Sequence, residues 1–245
     1  MWLNKEKTTE SAIAHYKEQL SQSCPEYVVI DNLFNHSLLV EITSILQYPN
    51  SWQKQRHTYD ELYVNDARWH ATKAEQRFVQ RDVFIQQNFC TSGLQSLPTP
   101  MQTSLPISLL NFLRSLEFMS FLSSIFNVDI TDLNVEDPII NTNYFRLNTN
   151  DFVGQHADDS PGREVCLLLY LNPQWDDTDG GELVFLGDES CQQNEKNRTV
   201  AIAPLFNRCV IFNPSSKGSE HWVNPLNSKH SQLYRYNITS WYWSE

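Results

Sequence analysis

Residues 153–188 read VGQHADDSPGREVCLLLYLNPQWDDTDGGELVFLGD and decide how this chain folds. Short apolar runs alternate in this stretch with turn residues such as Asn-Pro and Gly-Gly, a pattern that is typical of short strands. The run EVCLLLYLN at residues 164–172 is apolar enough to be buried on both faces. The stretch therefore predicts strands in the interior of a β core.

Comparable runs continue on both sides of this stretch, and together they predict eight strands. Their ranges are 143–148, 153–159, 164–172, 180–187, 199–204, 208–214, 220–226 and 234–243. Such regular spacing is typical of a double-sheet jelly roll. The earlier part of the chain shows helical spacing instead, at 8–21, 37–46 and 107–126, with a strand at 27–34. We therefore predict an α+β fold: a double-stranded β-helix (jelly roll) with N-terminal helices packed on one side.

The pattern changes near residue 138, which sets the predicted organisation. Residues 1–137 are expected to form a helical N-terminal support with one or two strands, and residues 138–245 the jelly-roll core, within one integrated domain. Residues 52–83 are polar, mixed in charge and interspersed with aromatics. Two interpretations stay open for this segment: a surface helix followed by a loop, or a lid that covers a substrate.

Composition and charge exclude several classes of protein. A chain of 245 residues with 40% hydrophobic residues can bury a large core and is not disordered. Its 18 basic and 29 acidic residues give a net charge of −11, which argues against a nucleic-acid partner. Ten acidic residues and one basic residue, Arg163, lie between positions 151 and 189. They predict a solvated acidic rim, or a metal or a cationic partner nearby.

The cysteines and apolar segments predict a location. Five cysteines without a CxxC pair disfavour a disulfide scaffold and a structural zinc site, and they indicate a reducing compartment. The N-terminus lacks the apolar segment of a signal peptide. Arg114 and Glu117 interrupt the most apolar run, 109–126, so a core helix is predicted there. We expect a cytoplasmic protein without a membrane partner, and the sequence predicts no particular oligomeric state.

Two histidines and one carboxylate have the spacing of a metal site. His156 and Asp158 are two residues apart, so on a strand their side chains project from the same face. His221 lies on a later predicted strand, which can be a neighbour of the first in a jelly roll. Two His and one carboxylate on one face of a metal leave open positions, as in non-haem Fe(II) oxygenases. The alternative is a pair of hydrogen-bonded core histidines.

Arg235 is a candidate for binding a dicarboxylate cosubstrate. It begins the last predicted strand, 14 positions after His221. A fixed carboxylate is bound better by the bidentate guanidinium of Arg than by Lys. The alternative is a surface Arg on an edge strand.

At this point the chain resembles a known family. The stretch 153–188, FNRCVIFNPSSKGSEHWVNPL at 206–226 and RYNITSWYW at 235–243 look like the prolyl 4-hydroxylase-like branch of the 2-oxoglutarate/Fe(II)-dependent dioxygenases. Within that branch the chain is most similar to the subgroup of ribosomal-protein prolyl hydroxylases and bacterial relatives. The resemblance covers about residues 138–243.

The resemblance implies roles for individual residues. His156, Asp158 and His221 would bind iron and form the catalytic centre, and Arg235 would pair with the C5 carboxylate of 2-oxoglutarate. Tyr170 falls where the family often places a tyrosine that hydrogen-bonds the same carboxylate; an ordinary buried strand Tyr is the alternative. The chain departs from the family at Leu147, where many members have a tyrosine.

The resemblance further implies an Fe(II)- and 2-oxoglutarate-dependent dioxygenase that uses O2, with ascorbate as a supporting reductant. Such an enzyme would hydroxylate an unactivated C–H bond and release succinate and CO2. We expect an amino-acid-type substrate, a prolyl or other residue of a polypeptide. The alternatives are a free amino acid or natural-product intermediate, or a jelly-roll binding module without turnover. A cupin-type isomerase or hydrolase is less favoured, because only two histidines fall on suitable strands.

Overall fold

The structure is a computed structural model that describes residues 1–86, 105–131, 138–176, 178–188, 199–227 and 234–244. Its α-helices are α1 (Glu10–Gln22), α2 (His36–Leu46), α3 (Asp66–Ala71), α4 (Leu105–Leu113), α5 (Leu116–Phe126) and α6 (Pro138–Asn141). Its first strands are β1 (Tyr27–Asp31), β2 (Trp52–Thr58), β3 (Arg77–Phe84), β4 (Thr142–Leu147), β5 (Phe152–Val153) and β6 (Arg163–Tyr170). They are followed by β7 (Leu183–Phe185), β8 (Val200–Ile202), β9 (Arg208–Phe212), β10 (His221–Val223) and β11 (Arg235–Trp243).

The strands form two antiparallel sheets. The larger sheet has the order β1-β9-β6-β11-β4-β3-β2, with β5 paired to β3, and the smaller has the order β10-β7-β8. Apolar side chains fill the space between them, including Leu168, Phe185 and Phe212. The strand β6 is buried over six successive residues, as the run EVCLLLYLN predicted. The predicted fold class, a jelly roll with added helices, is confirmed.

The helices pack on the outer face of the larger sheet. Buried residues of α1, α2, α4 and α5 join β-strand residues such as Leu167 and Ile238 in one continuous apolar cluster. Tyr144 lies fully buried within it, and its hydroxyl donates a hydrogen bond to the carbonyl of Pro106 at 2.8 Å. This layer supports the sheet from behind and leaves its other face to the site described below.

The single helix predicted at 107–126 is two helices. α4 ends at Leu113, and Ser115 caps α5 by accepting a hydrogen bond from the backbone N–H of Phe118. Arg114 lies at the break and donates to the carbonyl of Trp241 at 2.6 Å. Within the described residues no single helix meets the length and hydropathy of a membrane span; the pair α4 and α5, bent by 43°, meets them only when taken together.

Residues 52–83 are not the surface helix and loop of the first interpretation, and the second, a lid that covers a substrate, stays a prediction. β2 and β3 pair as antiparallel strands that extend the larger sheet, and only the short α3 lies between them. β2 is an edge strand in which six of the seven residues are polar, so it shows no apolar period of two. Among the described residues, three strands therefore precede residue 138, more than the one or two expected. The division of the chain at that residue stays a prediction.

Cys24 is disulfide-bonded, which the cysteine pattern did not predict. Cys166 and Cys209 are free and buried on interior strands. They pack there as small apolar side chains.

Candidate metal centre

His156, Asp158 and His221 come together at one end of the jelly roll. One potential ligand atom of each lies within 4.8 Å of those of the other two. The Nε2 atom of His156 is 3.9 Å from Oδ1 of Asp158, and that of His221 is 3.7 Å from Oδ2. His156 and His221 also exchange two backbone hydrogen bonds, of 3.0 and 2.9 Å. The predicted proximity of the two strands is therefore present, although β5 ends at Val153 and His156 forms an isolated bridge.

Backbone carbonyls orient both imidazole rings. Nδ1 of His156 is 2.9 Å from the carbonyl oxygen of Gly154, and Nδ1 of His221 is 2.9 Å from that of Ser219. A carbonyl only accepts, so each Nδ1 carries the proton and each Nε2 keeps a lone pair. Both lone pairs are on the nitrogens nearest Asp158. This is the arrangement that metal-ligating histidines usually show.

Three neighbours fix the Asp158 carboxylate. Oδ1 accepts from Nη1 of Arg163 at 3.2 Å, and Oδ2 accepts from the indole Nε1 of Trp241 at 2.9 Å. The thiol of Cys166 lies 3.7 Å from Oδ2. Trp241 is partly buried against the core, and its indole N–H holds the carboxylate. Spacing alone did not reveal this, because the two residues are 83 positions apart.

The protonation states suit a metal. Burial lowers the pKa of His221 to about 4, with a further contribution from His156 that Asp158 partly opposes. Burial acts to raise the pKa of Asp158, but the two histidines, Arg163 and the indole hydrogen bond outweigh it and the pKa is lowered. At neutral pH the site therefore offers an anionic carboxylate and neutral imidazole of His221, the forms that bind metals.

Arg235 lies buried beside the metal ligands. It is 1% exposed, its Nε donates to the carbonyl of Gly181 at 2.7 Å, and its Nη1 donates to Oδ1 of Asn237 at 2.8 Å. Its guanidinium carbon is 4.9 Å from the ring centroid of Tyr170. Gly181 has φ +72°, and a Cβ there would lie 3.0 Å from Cδ of Arg235. The glycine therefore leaves room for the arginine.

Two polar atoms near Arg235 have no partner. Among the residues that the structure describes, neither Nη2 of Arg235 nor the hydroxyl of Tyr170 makes a hydrogen bond, and both atoms are buried. Burial raises the pKa of Tyr170 to about 12, so the hydroxyl stays a donor at neutral pH. Orphaned buried donors are rare in folded proteins. A single ligand carboxylate could accept hydrogen bonds from both donors. Binding such a carboxylate is the role that the resemblance implies for Arg235 and Tyr170.

A cavity connects the metal ligands with Arg235. Its lining includes Leu147, Val153, Leu183 and Val223 on the apolar side and Asn237, Thr239 and Trp241 on the polar side. Arg81 of β3 also lines it. The sequence did not predict this residue, because a single arginine in the polar segment 52–83 carries no local signal of a buried position.

Comparisons with known proteins agree with this site. Residues 142–243 match the family described as the 2OG-Fe(II) oxygenase superfamily. Over 138 residues the chain is 29% identical to prolyl 3-hydroxylase OGFOD1 of Mus musculus, a match that covers 56% of this chain and 23% of that protein. The match thus spans about a quarter of the length of this curated relative.

Solved structures of low identity share the fold. A prolyl hydroxylase from Trichoplax adhaerens, in complex with a hypoxia inducible factor peptide fragment, has a TM-score of 0.62 at 20% identity, covering 98% of this chain and 91% of that one. A prolyl-4-hydroxylase from Pseudomonas putida has a TM-score of 0.56 at 15% identity, covering 95% and 99%. Residues 142–243 thus match the 2OG-Fe(II) oxygenase superfamily, and the chain shares its fold with solved prolyl hydroxylases.

The residues present fit the cofactors of this family. The two histidines and the carboxylate supply the donor set of a facial Fe(II) site with open positions. The orphaned donors of Arg235 and Tyr170 supply what a dicarboxylate such as 2-oxoglutarate needs at its far end. The assignment of individual residues to these roles stays a prediction, which the experiments below address.

Proposed function

We propose that this chain is an Fe(II)- and 2-oxoglutarate-dependent dioxygenase that hydroxylates an unactivated C–H bond of a prolyl or other amino-acid residue. One observation carries the proposal: the cluster of His156, Asp158 and His221 shares a cavity with a buried arginine whose Nη2 lacks a partner. Bound Fe(II) and 2-oxoglutarate would supply O2 activation, with 2-oxoglutarate converted to succinate and CO2.

Some residues of the chain would bind the metal and 2-oxoglutarate, and others would exclude water from the site. The His156 and His221 rings are held by backbone carbonyls, so their Nε2 atoms need no reorganisation to meet a metal. Trp241 and Arg163 hold the Asp158 carboxylate from the opposite side. Arg235 would hold the far carboxylate of 2-oxoglutarate with Tyr170 beside it. The apolar wall of the cavity around Leu183 and Val223 would keep water from the reacting atoms.

The relatives support a peptide proline as the substrate. The curated relative is named as a prolyl 3-hydroxylase, and one structural neighbour is a prolyl hydroxylase bound to a peptide fragment. Next to the site, the Tyr59 ring stacks on Phe78 at 5.2 Å, and Phe78 lies 5.6 Å from the His156 ring. Tyr59 is 56% exposed, so this aromatic surface is open to a polypeptide. A free amino acid is the second candidate, favoured by Leu147 in place of the tyrosine that many family members have.

The experiment is a succinate-release assay with Fe(II), ascorbate and 2-oxoglutarate, run with proline-containing peptides and with free amino acids. Asp158→Ala should abolish succinate release, because the metal loses its only anionic protein ligand among the three. Asp159→Ala is the matched control: it removes the adjacent, exposed carboxylate and should leave activity unchanged. Full turnover by Asp158→Ala would contradict the assignment of the metal ligands.

A further inference from the structure

Arg81 is a second cation in the cavity of the metal centre. It lies on β3, and its side chain is partly buried and lines the same cavity as His156, Asp158 and Arg235. The antiparallel register pairs Asp82 with Arg146 and Val83 with Phe145, so Arg81 falls opposite Leu147 at the next position. Leu147 also lines the cavity. The cation therefore stands beside the position where many family members have a tyrosine.

The guanidinium of Arg81 is held in one orientation. Its carbon lies 3.6 Å from the ring centroid of Phe145, a close cation–π contact. Its Nε donates to Oε1 of Gln55 on β2 at 2.8 Å. Within the described part of the chain, the bond to Gln55 is the only hydrogen bond recorded for the Arg81 side chain, and no carboxylate lies within ion-pair distance of it. Its two Nη groups are thus left for a ligand.

Arg81 lies within electrostatic range of both ends of the cavity, Asp158 at one end and Arg235 at the other. Burial lowers its pKa to about 10, the Asp158 carboxylate opposes this fall and the Arg235 cation adds to it. Arg81 therefore interacts electrostatically with both ends of the cavity and remains charged at neutral pH. A partly desolvated arginine without a counter-ion is costly unless a ligand compensates it.

The sum of the charges at the site indicates which chemical group would complement Arg81. If the proposed function holds, Fe(II) and Arg235 are neutralised by Asp158 and the two carboxylates of 2-oxoglutarate. Arg81 adds one positive charge that no carboxylate of the described residues pairs with directly, since Asp158 acts on it only at longer range. The planar guanidinium group of an arginine, a rigid fork of N–H donors, can donate two parallel hydrogen bonds to one carboxylate. A carboxylate would complement this residue, either a further one that balances the extra charge or the metal-side one of 2-oxoglutarate, which two cations would then share.

We propose that Arg81 is a second carboxylate-binding residue of this cavity, beside Arg235. The inference rests on the proposed function. The carboxylate belongs either to the metal-side end of 2-oxoglutarate or to an acidic substrate such as a free amino acid. Both sources have the same chemistry, and the two arms of the experiment separate them.

The first arm measures 2-oxoglutarate binding without turnover. The cosubstrate is titrated anaerobically into the Fe(II)-loaded protein, and the visible charge-transfer band of the Fe(II) chelate reports its Kd. Loss of a charge-assisted hydrogen bond should raise the Kd about 10- to 100-fold in Arg81→Met. Arg81→Lys keeps the charge and loses the fork, so we expect a rise of about 3- to 10-fold. These results assign Arg81 to the cosubstrate.

The second arm tests for a third carboxylate. Acetate and its neutral analogue acetamide are titrated into the protein already loaded with Fe(II) and 2-oxoglutarate, and the same band is followed. If the wild type responds to acetate but not to acetamide, and Arg81→Met loses this response while keeping its affinity for 2-oxoglutarate, the residue serves an acidic substrate.

Arg77→Met is the matched control. Arg77 lies four residues away on the same strand and stacks on Trp69 at 4.8 Å, outside the cavity. It should bind both ligands as the wild type does, and thermal unfolding of every variant shows that it is folded. The proposal is overturned if Arg81→Met matches the wild type in both arms. Absence of the band from the wild type would contradict the proposed function itself, and the inference with it.

Discussion

Tyr170→Phe should stabilise the protein and weaken its binding of 2-oxoglutarate. The Tyr170 hydroxyl is fully buried and has no hydrogen-bond partner among the described residues. Removing it therefore breaks no well-formed hydrogen bond within the fold, only its electrostatic contact with the Arg235 guanidinium, and the ring still faces Arg235 at 4.9 Å. The same hydroxyl would be lost as a donor to the far carboxylate of the cosubstrate. A structural role and a binding role thus predict opposite effects on stability.

The expected changes in stability and affinity follow from two situations: the hydroxyl without a partner in the ligand-free protein, and the hydroxyl donating to bound 2-oxoglutarate. A buried, unpaired polar group costs about 1 kcal/mol or more, so we expect the free energy of unfolding to rise by about 1 kcal/mol. For a chain of this size that corresponds to a rise in Tm of about 2–4 °C. A hydrogen bond to a charged acceptor contributes about 1.5–3 kcal/mol, so the Kd for 2-oxoglutarate should rise about 10- to 100-fold.

The assay combines thermal unfolding of the metal-free protein with anaerobic titration of 2-oxoglutarate into the Fe(II) form. Tyr144→Phe is the matched control, because its buried hydroxyl does donate, to Pro106 at 2.8 Å. That variant should lose about 1–2 kcal/mol of stability and bind 2-oxoglutarate normally. A lowered Tm together with unchanged binding in Tyr170→Phe would refute the reasoning, since the hydroxyl would then serve the fold alone.

Two further predictions concern the surroundings of the metal ligands. Trp241→Phe keeps an aromatic ring at this position but removes the 2.9 Å hydrogen bond to Asp158, so Fe(II) affinity should fall about 10- to 100-fold in a metal titration; unchanged affinity would contradict the supporting role of Trp241. Burial lowers the pKa of His57 to about 4, with Arg81 and His156 adding to the fall. The unfolded chain takes up this proton below about pH 6.5 and the folded chain only near pH 4, so stability should decrease over that window as pH falls, by up to about 3 kcal/mol. His57→Asn can still accept from the backbone N–H of Tyr63, and its Tm should depend less on pH than that of the wild type; equal pH profiles would count against this assignment.

The jelly roll was predictable because its signals are local. Strands such as β6 are continuous apolar runs bounded by Asn-Pro and Gly-Gly turns, and burial on both faces follows from composition alone. His156 and Asp158 are two residues apart, so any extended backbone brings them near each other. The approach of His221 required the topology, which the number and spacing of the strands supplied.

The remaining features depend on contacts between distant segments. Arg81 and Gln55 are 26 positions apart, and neither has a sequence pattern that shows it faces a cavity. The hairpin of β2 and β3 lies at the edge of the sheet, and β2 consists mainly of polar residues, so no apolar alternation develops there. The break between α4 and α5 depends on a cap at Ser115 within an otherwise apolar run. Local propensity does not predict such features, because they depend on tertiary packing.

The central claim is that one metal and one 2-oxoglutarate share this cavity. The most direct test is a crystal structure with Mn(II), as a redox-stable substitute for Fe(II), and 2-oxoglutarate. The account predicts the metal on Nε2 of His156, the carboxylate of Asp158 and Nε2 of His221, with the far carboxylate on Nη2 of Arg235 and the Tyr170 hydroxyl. A metal bound elsewhere, or a cosubstrate carboxylate that leaves Arg235 without a partner, would contradict it.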